Sequence, residues 1–372
     1  MSCLQYPSLF ICKALILVLL AHSALGSIND VFNVKGGSVT VGGCDAHKTR
    51  LTKWWDDVTT FVDAALLYAQ DDSEDGVEYM YTWFALDAPP ADAKERNAAR
   101  VALSAVKDFI EGNGDEREGG KPWLFCSSKW LQELSWDDIA YDPDTGEKFP
   151  DDDDKSKSKK VRDVLKHPQH DPKNPRGFPF WSPDLRQYVL EDESGDYCSK
   201  KFEAGVGYYG STSEDTTPTT VTICVQNMLA KKGPMKIPKE SLTLGKVQKE
   251  GSSIVNFRTM SMTLFHELFH VALGVEATKE EEKSYDLKYI AKPRNEDGGE
   301  GDDDDGDFIL TEDALHNPES YTYYALSCVL GQKNEKFTFA STKSKLKKPK
   351  DPKGGNKNEA ELRTRHRRMI KI

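Results

Sequence analysis

The 372-residue chain reads as an α+β protein, largely helical with a small sheet. Three observations predict this. Apolar residues recur at three-to-four spacing in two N-terminal stretches, the signature of amphipathic helices. A short β-branched run, "TTVTICV" (Thr219 to Val225), reads as a strand. From about Ser252 to Leu273 the helical period returns. With 38% hydrophobic and 10% aromatic residues, the chain can bury a substantial core.

Taken in order, residues 1–26 read as a secretory signal. Lys13 precedes the apolar run "ALILVLLA", and the small residues Ala24-Leu25-Gly26 before Ser27 suit cleavage. A membrane span needs about 20 apolar residues. Lys13 interrupts the only stretch approaching that, so the expectation is a secreted, extracellular protein with no membrane span. Residues 27–135 form a helical N-terminal part. Leu51, Trp54, Trp55, Val58, Phe61, Val62, Ala65, Leu66 and Ala69 share one helix face. Ala99, Ala102, Leu103, Val106, Phe109 and Ile110 share another after Pro89-Pro90, with Gly112 as the stop.

Residues 136–200 read as a loop-rich region, with "DDDDKSKSKK" and the Pro-rich "KHPQHDPKNPRGFPF" as solvated loop. Pro168 keeps His167 and His170 off a shared helix face, so both are taken as surface residues. Residues 201–335 carry the strand and then the helix, with Ser252 or Ser253 as its N-cap and Gly274 just past its end. The acidic loop "NEDGGEGDDDDGD" follows, and "DALHNPESYTYYALSCVL" reads as a last helix broken near Pro318. The basic tail, 336–372, has little apolar content and is expected to be disordered.

The net charge of −11 is unevenly spread: Ser341 to Ile372 carries +9, leaving about −20 on the rest. Such an acidic body argues against nucleic acid as a partner, because phosphate contacts need a basic face. Once Cys3 and Cys12 leave with the signal, Cys44, Cys126, Cys198, Cys224 and Cys328 remain. In an oxidising compartment that implies two bridges and one free thiol. Cys198 with Cys224 is one expected bridge, across a strand-and-turn excursion.

The chemistry concentrates in "HELFH". Residues i and i+4 of a helix stack on one face, so His266 and His270 can aim at one ion while Glu267 flanks it. That is H-E-x-x-H, a signature of zinc metalloproteases. Zinc takes neutral imidazoles and, with three protein ligands, keeps a fourth position for water. It lowers the pKa of that water, and a carboxylate such as Glu267 accepts the proton. The competing reading is a core helix with two satisfied histidines.

The third ligand is open. Asp286, within "SYDLKYI", and Glu319, within "HNPESYTYYAL", compete, and Glu276 and Glu280 to Glu282 are further possibilities. His316 reads as structural.

At these residues the chain resembles the aspzincins, fungal deuterolysin-like and lysine-specific metalloendopeptidases that pair H-E-x-x-H with G-T-x-D-x-x-Y-G and a later N-A-[DE]-S-Y. The resemblance spans about Thr219 to Leu326. It implies a zincin-like fold, one zinc ion held by His266, His270 and Asp286, and Tyr289 stabilising the oxyanion. Glu319, in "NPESY", would orient the site from behind. Gly-Thr does not precede Asp286 and Gly does not follow Tyr289. The function expected on this basis is secreted, zinc-dependent endopeptidase activity on protein or peptide substrates. Two alternatives stand beside it: a zincin-fold binding protein that has lost turnover, and a gluzincin-type hydrolase with Glu319 as third ligand.

Overall fold

The computed structural model describes residues 26–86, 93–114, 118–165, 177–191, 194–199, 208–229, 237–242, 253–278, 280, 285, 287–291, 310–333, 338–340 and 345–347. The signal segment, the acidic loop, His167, His170 and most of the basic tail lie outside them. Among the described residues no helix is long and apolar enough to cross a membrane.

Both N-terminal periodicities fold as helices: α1, Lys48–Ala69, and, after α2, Glu74–Phe84, the helix α3, Ala93–Ile110. The apolar stripe of α1 is buried along its length, from Leu51 to Ala69. α2 was not anticipated from the sequence; Ser73 caps it by accepting from the Gly76 N–H. Two later helices complete the set: α4, Ser261–Leu273, and α5, Pro318–Lys333. Pro318 stands at the first position of α5, where its missing N–H costs nothing. A short helix, Thr311–His316, precedes it, so the anticipated break falls at Asn317.

The helix carrying the histidines begins nine residues later than its periodicity suggests. Ser253 opens only a single tight turn, Ile254–Phe257, and Arg258 is extended (φ −51°, ψ 137°). Met260 N–H then donates to the Lys239 carbonyl, which holds the chain open before α4. Gly274 ends α4 with φ 91°, a conformation that glycine adopts without strain.

The main sheet has the order β1 (Asn33–Val34), β2 (Trp123–Phe125), β7 (Thr220–Ile223), β6 (Gly210–Ser213). The first two pairings are parallel, and β6 runs antiparallel to β7. β6 is thus the edge strand, lying against α4. One continuous core runs from Ile28 to Leu330 and joins α1, α2 and α3 to the sheet, α4 and α5. At its centre the Phe61 ring stacks on Phe265 (5.5 Å), which meets Phe269 edge-on (5.2 Å).

The loop-rich middle contains more order than expected. β3 (Gln132–Glu133), β4 (Phe178–Ser182) and β5 (Gln187–Glu191) form a second, antiparallel sheet. Its small core is Leu134, Ala140, Val161 and Trp181. Short strands, one containing Pro179, leave too few residues for an alternating pattern to show. The tail also holds a hairpin, β8 (Thr338–Ala340) with β9 (Lys345–Lys347), pairing Phe339 with Leu346.

Two disulfides form, Cys44–Cys126 and Cys198–Cys224, and Cys328 is a buried free thiol. The second bridge ties the segment after β5 to the end of β7. Replacing Phe61 by Ala should cost about 3–5 kcal/mol in denaturant unfolding, because the ring is fully buried and supports α4. A loss below about 1 kcal/mol would contradict this packing.

Candidate metal centre

α4 is buried on nearly every side, so its polar residues must find partners within the protein. His266, Glu267 and His270 are only 7%, 3% and 9% exposed. The two imidazoles meet edge-on, with centroids 5.2 Å apart and planes at 65°.

Their Nδ1 atoms are both engaged. His266 Nδ1 lies 3.2 Å from Glu319 Oε2, and His270 Nδ1 lies 2.6 Å from Thr278 Oγ1. The Thr278 hydroxyl donates to the Gly274 carbonyl at 2.7 Å, so its oxygen accepts from His270. That fixes the proton of the neutral His270 ring on Nδ1 and leaves its Nε2 lone pair free for an ion. From the first turn of α5, where Asn317 Oδ1 accepts from its backbone N–H, Glu319 accepts from His266 Nδ1–H and so turns Nε2 toward Glu280. Such partners on the far nitrogen commonly orient metal-ligating histidines.

The two Nε2 atoms converge on Glu280, at 3.1 Å and 3.9 Å. Ligands about 2.0–2.1 Å from a tetrahedral ion lie roughly 3.3 Å apart, so these separations suit a shared cation. Glu280 Oε1 is buried without a hydrogen-bond partner, the orphan that a cation would satisfy. Ligand atoms of His266, His270 and Glu280 all lie within 4.8 Å of one another, the one such trio among the described residues. Tyr285 donates to Glu280 Oε2, and its ring stacks on His266 with centroids 6.0 Å apart.

Glu267 points elsewhere. Thr212 Oγ1 donates to its Oε2 at 2.7 Å. β6 passes so close that a Cβ on residue 210 would lie 2.4 Å from Glu267 Oε1, which is why glycine stands there. Burial pushes the Glu267 carboxyl up to about 7, against the opposing pull of His266 and the Thr212 hydrogen bond. Burial opposes charge on His266 as well, but Glu280 and then Glu319 outweigh it and hold that ring well above the ordinary imidazole range. His270 goes the other way, pushed down to about 4 by burial and then by His266.

His266, Glu267 and His270 come together on α4, and Glu319 reaches the site at His266 Nδ1, on the far side of the ring from Glu280. Asp286 lies outside the described residues. Tyr289 is half-buried on the short helix Leu287–Ile290, and Tyr285 is the tyrosine whose ring covers His266. His316 donates from Nδ1 to the Ala277 carbonyl at 2.7 Å, pinning the turn that carries Thr278. Glu280 was only one of several acids in a charged run. The overlooked signal is "ATKE", Ala277 to Glu280, which has the shape of G-T-x-D ten residues after His270. Ala for Gly and Glu for Asp hid it. Thr278 and Tyr285 went unnoticed with it.

In the metal-free chain the His270 ring holds its proton less tightly folded than unfolded. Between about pH 6.5 and 4 the unfolded ring binds a proton and the folded ring does not, so stability falls as pH drops through that window. Thermal unfolding of metal-free His270→Gln should lose that part of the acid slope. An unchanged slope would refute the assignment.

No family model, curated protein or solved structure matches this chain.

Proposed function

We propose that the protein is a secreted zinc-dependent endopeptidase, its one ion held by His266, His270 and Glu280. The observation that carries this is the Glu280 carboxylate set against two imidazole Nε2 atoms, Oε1 toward His266 and Oε2 toward His270, while both Nδ1 atoms are already engaged. Two neutral imidazoles and one carboxylate are a donor set that zinc accepts with a position left for water. The ion, when bound, supplies Lewis-acid chemistry: it makes water acidic enough to attack near neutral pH and polarises the carbonyl under attack.

The remaining roles belong to the chain. Glu267, with its carboxyl near neutrality and its position fixed by Thr212, is suited to take a proton and pass it to the leaving amine. Tyr285, half exposed above His266, is the phenol that would turn its hydroxyl from Glu280 to a substrate oxygen once an ion engages Glu280. Its pKa, raised by burial and by Glu280, keeps that donor protonated. The edge strand β6 offers backbone groups to an extended peptide, which would add as a further strand beside Glu267. On the other face of β6 lies a cavity of about 150 Å³ lined by Trp130, Glu191, Tyr197, Tyr208, Ser211 and Ser213, where alternate side chains of such a peptide would project.

The resemblance to aspzincins is supported by the same geometry, with Glu280 in the place of the motif's aspartate and Thr278 in the place of its threonine. Two disulfides accord with export through an oxidising compartment. The binding-protein alternative keeps the ion but lacks turnover, and one experiment separates the readings. The wild-type chain should bind one equivalent of zinc and cleave unfolded casein. Glu280→Ala should lose most of the metal and Asp286→Ala should retain it. Glu267→Gln should keep zinc while activity falls by about 10²–10⁴. Full zinc occupancy without cleavage would favour the binding protein. Zinc lost from Asp286→Ala but kept by Glu280→Ala would restore Asp286 as the ligand.

A further inference from the structure

Arg258 stands in the extended link just before α4, outside the H-E-x-x-H helix and outside every motif of the sequence reading. Its guanidinium lies 3.8 Å from Glu319 Oε1 and over the Tyr323 ring, 5.8 Å from the centroid. The other carboxylate oxygen, Oε2, faces His266 Nδ1 at 3.2 Å and the Thr322 hydroxyl at 3.4 Å. Glu319 is 8% exposed, and a carboxylate withdrawn from water needs a compensating charge. With an ion on Nε2 the His266 ring is neutral, and it and the Thr322 hydroxyl then supply hydrogen bonds but no charge. Among the described residues, Arg258 is the one Lys or Arg side chain paired with Glu319.

We infer that Arg258 is a positioning residue for the metal centre, acting through Glu319 on His266. With Oε1 held toward the guanidinium, the carboxylate turns Oε2 to the ring. The ring N–H is then held on Nδ1, and Nε2 keeps its lone pair toward the ion. The Tyr323 ring, stacked on Trp83 at 5.2 Å, gives the guanidinium a fixed platform. The charge is therefore anchored in the core rather than on a mobile surface side chain. Arg258 touches neither ligand atom nor substrate in this role. The inference rests on the zinc-site reading above.

The test is a double-mutant cycle on the full chain, read as zinc affinity by competition with a chromophoric chelator. Arg258→Met and Glu319→Gln should each weaken zinc binding by about tenfold or more, as loss of an orienting partner does. The double variant should be no weaker than the weaker single variant, because both changes break one relay. Arg258→Lys should recover most of the affinity, since it restores the charge. Should Arg258→Met not fold, Arg258→Gln is the neutral variant in the same cycle. Wild-type affinity in the neutral variant, losses that multiply in the double variant, or no recovery with lysine would each overturn the inference. A wild-type chain that binds no zinc would overturn the site reading itself, which is a distinguishable result.

Discussion

The structure around α4 is governed by the cost of burying ionisable groups. One and a half turns of this helix place two imidazoles and a carboxylate where water hardly reaches. An unpaired buried polar group costs about 1–3 kcal/mol, and more when charged. Every neighbouring element therefore ends on a partner. α5 begins where Glu319 can meet His266, the turn after Gly274 delivers Thr278 to His270, and β6 brings Thr212 to Glu267. The exception is Glu280, whose buried Oε1 makes no hydrogen bond although it lies 3.1 Å from His266 Nε2, with Oε2 toward His270 Nε2. That deficit is what favours the proposed metal centre over a helix with two satisfied core histidines.

Packing makes the arrangement rigid. α4 touches α1, α3, α5 and the sheet at once, and its apolar residues, Leu264, Phe265, Leu268, Phe269 and Val271, are essentially fully buried. A helix enclosed on all sides cannot rotate without opening cavities, and core voids are costly. The angle between the imidazoles is thus set by aromatic contacts such as Phe61 on Phe265 and Tyr321 on Phe269. The N-terminal helices, which contribute no candidate ligand, hold the geometry of the site.

Sequence periodicity revealed the parts of the fold whose burial is one-sided and long. α1 and α3 show as stripes because each presents one face to the core over many residues. α4 shows its histidine spacing but not its start, because its beginning is decided by Arg258 and the Lys239 carbonyl rather than by local preference. The second sheet escaped because its strands are two to five residues long. Within the site, His266, Glu267, His270 and Glu319 were legible from spacing and motif. Glu280, Thr278 and Tyr285 were not, since a run of Glu and Lys looks solvated in composition alone. What places Glu280 against the imidazoles is a fold-level fact: His316 pins the turn that precedes it.

On the proposed reading, the two acids beside His266 do different work in the same surroundings. Burial raises the pKa of both carboxyls. For Glu280 the charge of His266, its contact with that ring and the Tyr285 hydroxyl reverse the effect, leaving it below the usual carboxylate range. For Glu267 burial wins, and the carboxyl sits near 7 with one neutral hydroxyl as its support. An anion held ionised beside two imidazoles is what a cation needs as a ligand. A carboxyl poised at neutrality, beside an open sheet edge, is what proton transfer needs. This division follows from which face of α4 each acid meets: Glu280 arrives across the imidazoles, whereas Glu267 is turned about 100° away, toward β6.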